Sequence, residues 1–582
     1  MRFRPLINWR NEFRKLLALW VTVTLVWCIT FNKFDRIGWE TPPVYAGDTW
    51  IYGAMVKAAS EGQYLPFAFK SNRYLNAPFQ ADWTDFPMTE DLLYSAVGLW
   101  ARFMGVFPAM NLFFLFACLL AATSFYVVGR HLRWRWEWCW AGALAFGASS
   151  YMFVRGVNHL ALSYYWHLPL CLLVTWWAAS RRGLVFRDPR YRVALFVAVV
   201  TGLQNPYYTQ WFLQLLLLAA CAHALRRRSW ARLLPAAGVV AVTMLSLVSA
   251  NLDTIFYRLV NGPNEGAVVR NYFGVETFSL RPVELFLPAA HQLQALSDLT
   301  ARYKSDLAMP LNEPCYLGMI GAAGFLAMCG QGFFSLLRGR EGRPCGLALQ
   351  TFWLLAYSMV GALNGCLAVG GLLLFRAQNR VSIFLLALSL FFLLQWVSRR
   401  ARRWPRPLSL ALALLLAIVA VWDQWPVSVS DKQLAITIGE MESDRKFARR
   451  MERELPAGAM VFQLPVVKHP EDHTIRDPAL AYSHFRPYLF TKALRYSHGT
   501  DKGRQTSAWQ DVVAALPPAE MIKALERYGF AAIYIDRIGY PAKAHDLLEA
   551  FRQAGRDNFI ISNDHDLACI MLRPEKNPPL PP

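Results

Sequence analysis

Apolar stretches alternate with short arginine-rich gaps over most of this chain, and that alternation restricts it to a helical bundle in a membrane. The apolar segments run from Leu16 to Phe31, Pro108 to Val128, Trp138 to Val154, Leu160 to Ala179, Tyr191 to Leu203 and Tyr207 to Leu225. They continue from Leu233 to Ala250, Tyr316 to Leu336, Leu347 to Leu374, Val381 to Val397 and Leu408 to Val421. These are about eleven spans, most of them near the roughly 20 residues that cross hydrocarbon. Between them lie Arg10/Arg14/Lys15, Arg130/Arg133/Arg135, Arg181/Arg182/Arg187, Arg226/Arg227/Arg228, Arg338/Arg340/Arg343 and Arg399/Arg400/Arg402/Arg403. Short basic loops stay cytoplasmic. The segment from Tyr191 is short, yet omitting it alone would export a basic cluster, so it is kept. The amino terminus is then expected to be cytoplasmic and the carboxyl terminus exported, in a multi-pass membrane protein.

The chain is 55% hydrophobic over 582 residues, with ample apolar surface to bury. Its net charge of +20 sits largely in the basic loops. It therefore reads as topogenic and lipid-facing charge rather than a nucleic-acid surface. Of the ten cysteines, Cys118, Cys139, Cys171, Cys221 and Cys366 fall inside apolar spans, with no CxxC spacing, so no disulfide framework follows. Asn32, Lys33 and Phe34 follow the first apolar stretch instead of a small-residue cleavage site, so that stretch is expected to stay as an anchor.

Two domains are expected: a transmembrane unit over residues 1–425, with exported loops 32–107 and 251–314, and an exported α/β domain over 426–582. In the first loop, Asp48 to Ser60 reads as a short helix with Asp48 as its N-cap. Asp91 to Met104 reads as an amphipathic helix lying along the membrane surface. After the last span the pattern becomes globular. Helices are expected over Asp444 to Glu454, Pro518 to Tyr528 and Pro541 to Ala554. Strands are expected over Met460 to Leu464, Ala531 to Asp536, Phe559 to Ser562 and Leu567 to Leu572.

Asp48, in Tyr45-Ala-Gly-Asp48-Thr-Trp-Ile-Tyr52, is the sharpest candidate for chemistry, because a carboxylate among aromatics is partly desolvated and gains basicity. A plain N-cap role is the competing reading. Asn76-Ala-Pro-Phe79, Asp82, Asp85-Phe-Pro87, Glu90 and Asp91 make the loop acidic and aromatic, which suits sugar hydroxyls and rings and equally suits a solvated loop. Arg155 and His159, in Arg155-Gly-Val-Asn158-His159-Leu160, lie at a tight outer turn where basic residues are sparse, a position that invites a phosphate. Snorkelling of Arg155 to the interface is the alternative. Arg376 and Arg380, before the tenth span, form a second phosphate candidate. Asn205, in Asn205-Pro-Tyr-Tyr208, and His291 could line the same cavity, although a Pro-Tyr turn and a loop histidine are more often structural.

Other patterns narrow the chemistry. The chain has no Walker-type loop, no Gly-x-Ser-x-Gly elbow, no HExxH and no GxGxxG after a strand. His469-Pro-Glu471-Asp472-His473 reads as an exposed polar loop more readily than as a metal site. A divalent metal is possible but unsupported, and no cofactor is otherwise implied. Gly318, Gly321 and Gly324 read as a helix-packing stripe.

The layout of one span, a long exported loop opening on Asp48, two surface helices, many further spans and a terminal α/β domain resembles the GT-C superfamily of integral membrane glycosyltransferases. A closer likeness, over nearly the whole chain, lies in Asn76-Ala-Pro-Phe79, Asp85-Phe-Pro87, Asn111, Arg155-Gly-x-x-His159-Leu160, Asn205-Pro-Tyr207 and Leu494-Arg-Tyr-Ser-His-Gly499. These look like bacterial multi-pass proteins described as sugar translocases of surface-polysaccharide synthesis. The resemblance implies a polyprenyl-phosphate-linked sugar donor and a glycan, lipid or protein acceptor of the cell envelope. It implies Asp48 as catalytic base, with Arg155, His159 and Arg376 or Arg380 on the leaving phosphate, and inversion at the anomeric carbon. The paired acidic residues of several GT-C first loops are absent, since Gly47 and Thr49 flank Asp48, which weakens the case for a metal. The rival reading is a transporter of lipid-linked sugar or polysaccharide. Scarce mid-span charges and no visible repeat disfavour it. A third reading is an assembly subunit in which Asp48 is vestigial.

Overall fold

The computed structural model describes residues 9–307, 314–338, 344–427, 431–472, 481–540 and 544–582. Among these, seven helices are long and apolar enough to cross a membrane: Asn11–Phe31, Val106–His131, Pro206–Arg227, Trp230–Ala250, Gly318–Ser335, Gln378–Ala401 and Arg406–Asp423. The chain is a polytopic membrane protein. The other four expected spans are helical but shorter, comprising Trp136–Gly147 with Ser150–Arg155, Leu160–Ser163 with Leu168–Ala179, Pro189–Gly202, and Pro344–Ser358 with Leu363–Val369. Arg340 and Arg343 of the fifth basic cluster lie outside the described residues.

Side-chain burial follows the helical period. On the first helix Leu17, Val21, Leu25 and Ile29, four residues apart, are exposed, while Leu16, Leu19, Val23 and Trp27 are buried. One face therefore meets hydrocarbon and the other meets the bundle, the order a lipid solvent imposes. The glycine stripe does bring helices together: a Cβ on Gly324 would lie 2.7 Å from the Ser389 backbone oxygen, so only glycine fits that crossing.

Three of the expected spans are broken into two helices, and the first of those breaks shapes the site. After Gly147 the chain leaves the helix, and the Ser149 hydroxyl restarts it by accepting from the Met152 N–H. The new helix stops at Gly156 with φ +42°, which leaves residues 156–159 as a turn whose first two residues are buried and whose Asn158 and His159 are partly exposed.

The helices Asp48–Ser60 and Asp91–Met104 begin and end where the sequence pattern places them, and they pack on each other. Between them lies a three-stranded antiparallel sheet, Tyr64–Leu65, Phe69–Asn72 and Ala81–Asp82, which the sequence reading did not anticipate. Lys70 on its middle strand is buried, with Asp91 at 2.7 Å and Asp253 at 2.8 Å, so one ammonium joins the sheet to helices from both loops.

The carboxyl-terminal part is a five-stranded mixed sheet in the order Arg495–Tyr496, Met460–Leu464, Phe530–Asp536, Leu567–Met571, Phe559–Ile561. The first three strands are parallel, and the last two pair antiparallel. Every residue of Phe530–Asp536 is buried, as a central strand requires. The first loop shields the edge strand: the Tyr496 N–H donates to the Tyr74 oxygen, and the Tyr496 oxygen accepts from the Ala77 N–H at 2.9 Å. The helix expected from Asp444 starts earlier, at Asp431, and the one expected from Pro541 is described from Ala544.

Candidate active site

The helix Asp48–Ser60 starts abruptly. Gly47 has φ +54° and ψ −127°, a conformation closed to side chains with a Cβ, and it occupies the N-cap position. Asp48 is therefore the first helical residue, which corrects the reading of Asp48 as the cap. The side-chain oxygen of Asn158 accepts from the Thr49 N–H at 3.1 Å, taking one of the helix's orphan donors. The first-turn position of Asp48 favours its negative charge.

Its Oδ2 lies 3.5 Å from His159 Nε2, with Asp48 34% and His159 18% exposed. A residue of the first loop and a residue of the broken-span turn, 111 positions apart in the chain, thereby share one partly open site. Arg155 is buried, its guanidinium 4.5 Å from the centre of the Tyr151 ring. The Tyr151 hydroxyl meets that of Tyr208 at 2.9 Å. Arg380 joins from the other side, 5.0 Å over the Tyr207 ring. Tyr151 lies within electrostatic reach of both Arg155 and Arg380.

Tyr52, one turn after Asp48, carries the connection further. Burial pushes its phenol up first, and the charges of Asp48 and Glu90 add to that, while Arg380 opposes it. Tyr482 of the carboxyl-terminal part is raised in the same way, by burial and then by Asp48 and Glu471, with Arg376 opposing. Tyr151 thus feels Arg155 and Arg380, Tyr52 feels Asp48 and Arg380, and Tyr482 feels Asp48 and Arg376, while His159 meets Asp48 directly. Sequence reasoning missed Tyr52 and Tyr482. For Tyr52 the signal was present, since a residue four positions after Asp48 shares its helix face.

Asn205 lies beside this set but is committed: its amide donates to Glu90 Oε1 at 2.7 Å, and its oxygen accepts from the Tyr207 N–H at 3.1 Å. Glu90 is buried, and burial, then the neighbouring charge of Asp91, holds its carboxyl above the usual range. Asp85 and His291 have contacts that lead elsewhere. Asp85 is gripped by Arg504 at 2.7 and 3.0 Å, accepts from Asn264 at 2.9 Å and has Arg258 at 3.6 Å. Burial raises its carboxyl, but the Arg504 and Asn264 hydrogen bonds outweigh burial and hold it below the ordinary range. The His291 imidazole meets Asp423 at 3.1 Å and accepts from the Leu293 N–H, while Tyr316 also donates to Asp423. These two expected substrate contacts are thus ties between loops and helices, made by partners distant in sequence.

The His469–His473 stretch is also corrected. His469 is buried against Trp83, Phe485 and His498 rather than exposed, and burial followed by Lys502 pushes its imidazole down to about 3. Glu471 pairs with Arg376 and Arg270, and His473 lies outside the described residues. Among the described residues no group of three or more His, Cys, Asp or Glu side chains is arranged to hold a metal.

No family profile matches the sequence, and no curated protein sequence matches it. Solved structures do. ArnT from Cupriavidus metallidurans bound to undecaprenyl phosphate superposes with a TM-score of 0.50 at 11% identity, over 95% of this chain and 97% of that one. The arabinofuranosyltransferase AftD from Mycobacteria gives 0.49 at 15% identity, over 90% of this chain, which spans only 36% of AftD's length. The archaeal oligosaccharyltransferase AglB from Archaeoglobus fulgidus, in complex with an inhibitory peptide and a dolichol-phosphate, gives 0.44 at 10% identity, over 96% of this chain and 74% of that one. This chain shares the fold of ArnT, matched over nearly the full length of both chains.

Proposed function

We propose that this protein transfers a sugar from a polyprenyl-phosphate-linked donor to a glycan, lipid or protein acceptor of the cell envelope, at the extracytoplasmic face. The observation that carries the reading is the approach of His159 to Asp48 at 3.5 Å, beside the cationic turns of Arg155 and Arg376/Arg380. Asp48 takes the proton from the acceptor hydroxyl as its oxygen bonds to the anomeric carbon. The bond from that carbon to the phosphate oxygen breaks, and its electron pair stays on the polyprenyl phosphate. Charge thus accumulates where guanidiniums and an imidazole are already placed, which stabilises the transition state without reorganisation. Attack opposite the leaving group inverts the anomeric carbon. Asp48 is the proposed catalytic residue, and Arg155, His159, Arg376 and Arg380 are the proposed substrate contacts. Asn205 supports them by holding Glu90.

The likeness to ArnT supports a lipid-phosphate partner, since undecaprenyl phosphate is bound in that structure. The test is reconstitution of the purified protein in liposomes with a sugar-labelled lipid fraction from native membranes. A new glycosidic bond and released polyprenyl phosphate support transfer. Label that crosses the bilayer with no bond formed rejects it in favour of transport.

A further inference from the structure

Two arginines from separate loops converge on one carboxylate. Arg270 comes from the loop after the helix Leu252–Asn261, and Arg376 comes from the turn before the helix Ser382–Ala401. Arg270 Nη1 pairs with one oxygen of Glu471, and Arg376 Nη2 lies 2.7 Å from the other, so each oxygen has its own guanidinium. The three side chains are 17%, 24% and 21% exposed, so the cluster keeps some contact with solvent.

Glu471 belongs to the carboxyl-terminal part and is delivered from a costly backbone. Its φ is +55°, a left-handed conformation that a residue with a Cβ seldom adopts. Lys502 helps to hold it there by donating to the Glu471 carbonyl at 2.7 Å. Two guanidiniums around one doubly bonded acidic group is also the geometry that receives a phosphate monoester. The cluster lies on the Asp48 side of the molecule, since Tyr482 is within electrostatic reach of Asp48, Glu471 and Arg376 together.

We infer that Arg270 and Arg376 form a phosphate seat, filled by the Glu471 side chain until a phosphate-bearing ligand displaces it. That the ligand is a lipid carrier rests on the transferase reading above, whereas the seat itself does not. Glu471 then acts as a built-in competitor, and its departure couples carrier binding to movement of the 466–472 segment.

The test measures binding to the full-length protein of three probes: undecaprenyl phosphate, undecaprenol and inorganic phosphate. E471Q is expected to bind undecaprenyl phosphate about tenfold more tightly than wild type, a gain of about 1.4 kcal/mol. R270A and R376A should bind it more weakly, and undecaprenol should respond to none of these changes. In wild-type protein, hydrogen exchange over 466–472 should speed up when undecaprenyl phosphate is added, a readout that needs no variant to fold. Equal or weaker binding by E471Q, or slower or unchanged exchange in loaded wild type, overturns the proposal. If E471Q gains affinity for inorganic phosphate while neither protein binds undecaprenyl phosphate, the seat stands and the lipid-carrier reading fails. If neither phosphate binds, the seat itself is rejected.

Discussion

Replacing Asp48 by Asn removes a proton acceptor and the charge that faces His159, and it keeps the shape of the side chain. Gly47 supplies the cap position and Asn158 already takes the Thr49 N–H, so the helix keeps its start. The Asp48 side chain is 34% exposed. What stability loses is a negative charge at a helix N-terminus, worth about 0.3–1 kcal/mol. Catalysis loses a positioned general base, worth about 10²–10⁴ in rate. The two effects are far enough apart to be told from each other: the variant should melt within about 2 °C of wild type while turnover falls at least about a hundredfold. Donor affinity should hold, because Asp48 acts on the acceptor. The assay is single-turnover release of polyprenyl phosphate from labelled donor in proteoliposomes, with donor binding and thermal unfolding measured on the same sample. Turnover within tenfold of wild type by a folded variant would refute Asp48 as the base.

Arg380→Ala should raise the KM for the lipid-linked donor about tenfold or more, the size of a lost charged hydrogen bond, with little change in melting, as steady-state kinetics will show. Asp85→Ala should act in the opposite way, since it leaves Arg504 and Arg258 without their carboxylate. A stability loss of about 3 kcal/mol is expected in unfolding experiments, with donor KM unchanged in the protein that remains folded. Asp444, hydrogen-bonded to Tyr45 and paired with Arg486, is raised to about 6 by burial, which outweighs Arg486 and Tyr45. Its folded value exceeds the unfolded value of about 3.9, so the native state holds the extra proton and the stabilisation is complete below about pH 4 and lost as pH rises through 6. Melting scans from pH 4 to 7 should therefore show wild type losing ground to Asp444→Asn across that window. A flat or reversed difference would exclude this assignment.

Much of the architecture was legible because it follows from local pattern. The helices Asp48–Ser60 and Asp91–Met104 and the strand Met460–Leu464 lie where periodicity places them. The sheet within the first loop was not legible, since strands of two to four residues show no alternation to read. The site divides in the same way. Asp48 and His159 carry distinctive neighbours in sequence. The fates of Asp85 and His291 depend on Arg504 and Asp423, 419 and 132 residues away, and nothing local announces those partners. The Arg270, Arg376 and Glu471 cluster was hidden for the same reason, because its members come from three separate segments. Asn205 looked like a ligand contact and proved to be a helix cap that also holds a buried carboxyl.

The most direct measurement is the fate of the anomeric carbon when purified, reconstituted protein is given a sugar-labelled polyprenyl-phosphate donor and membrane acceptor. A new glycosidic linkage of inverted configuration is expected, formed together with free polyprenyl phosphate and abolished in Asp48→Asn. Retained configuration, or labelled donor recovered intact on the opposite side of the bilayer, would contradict it.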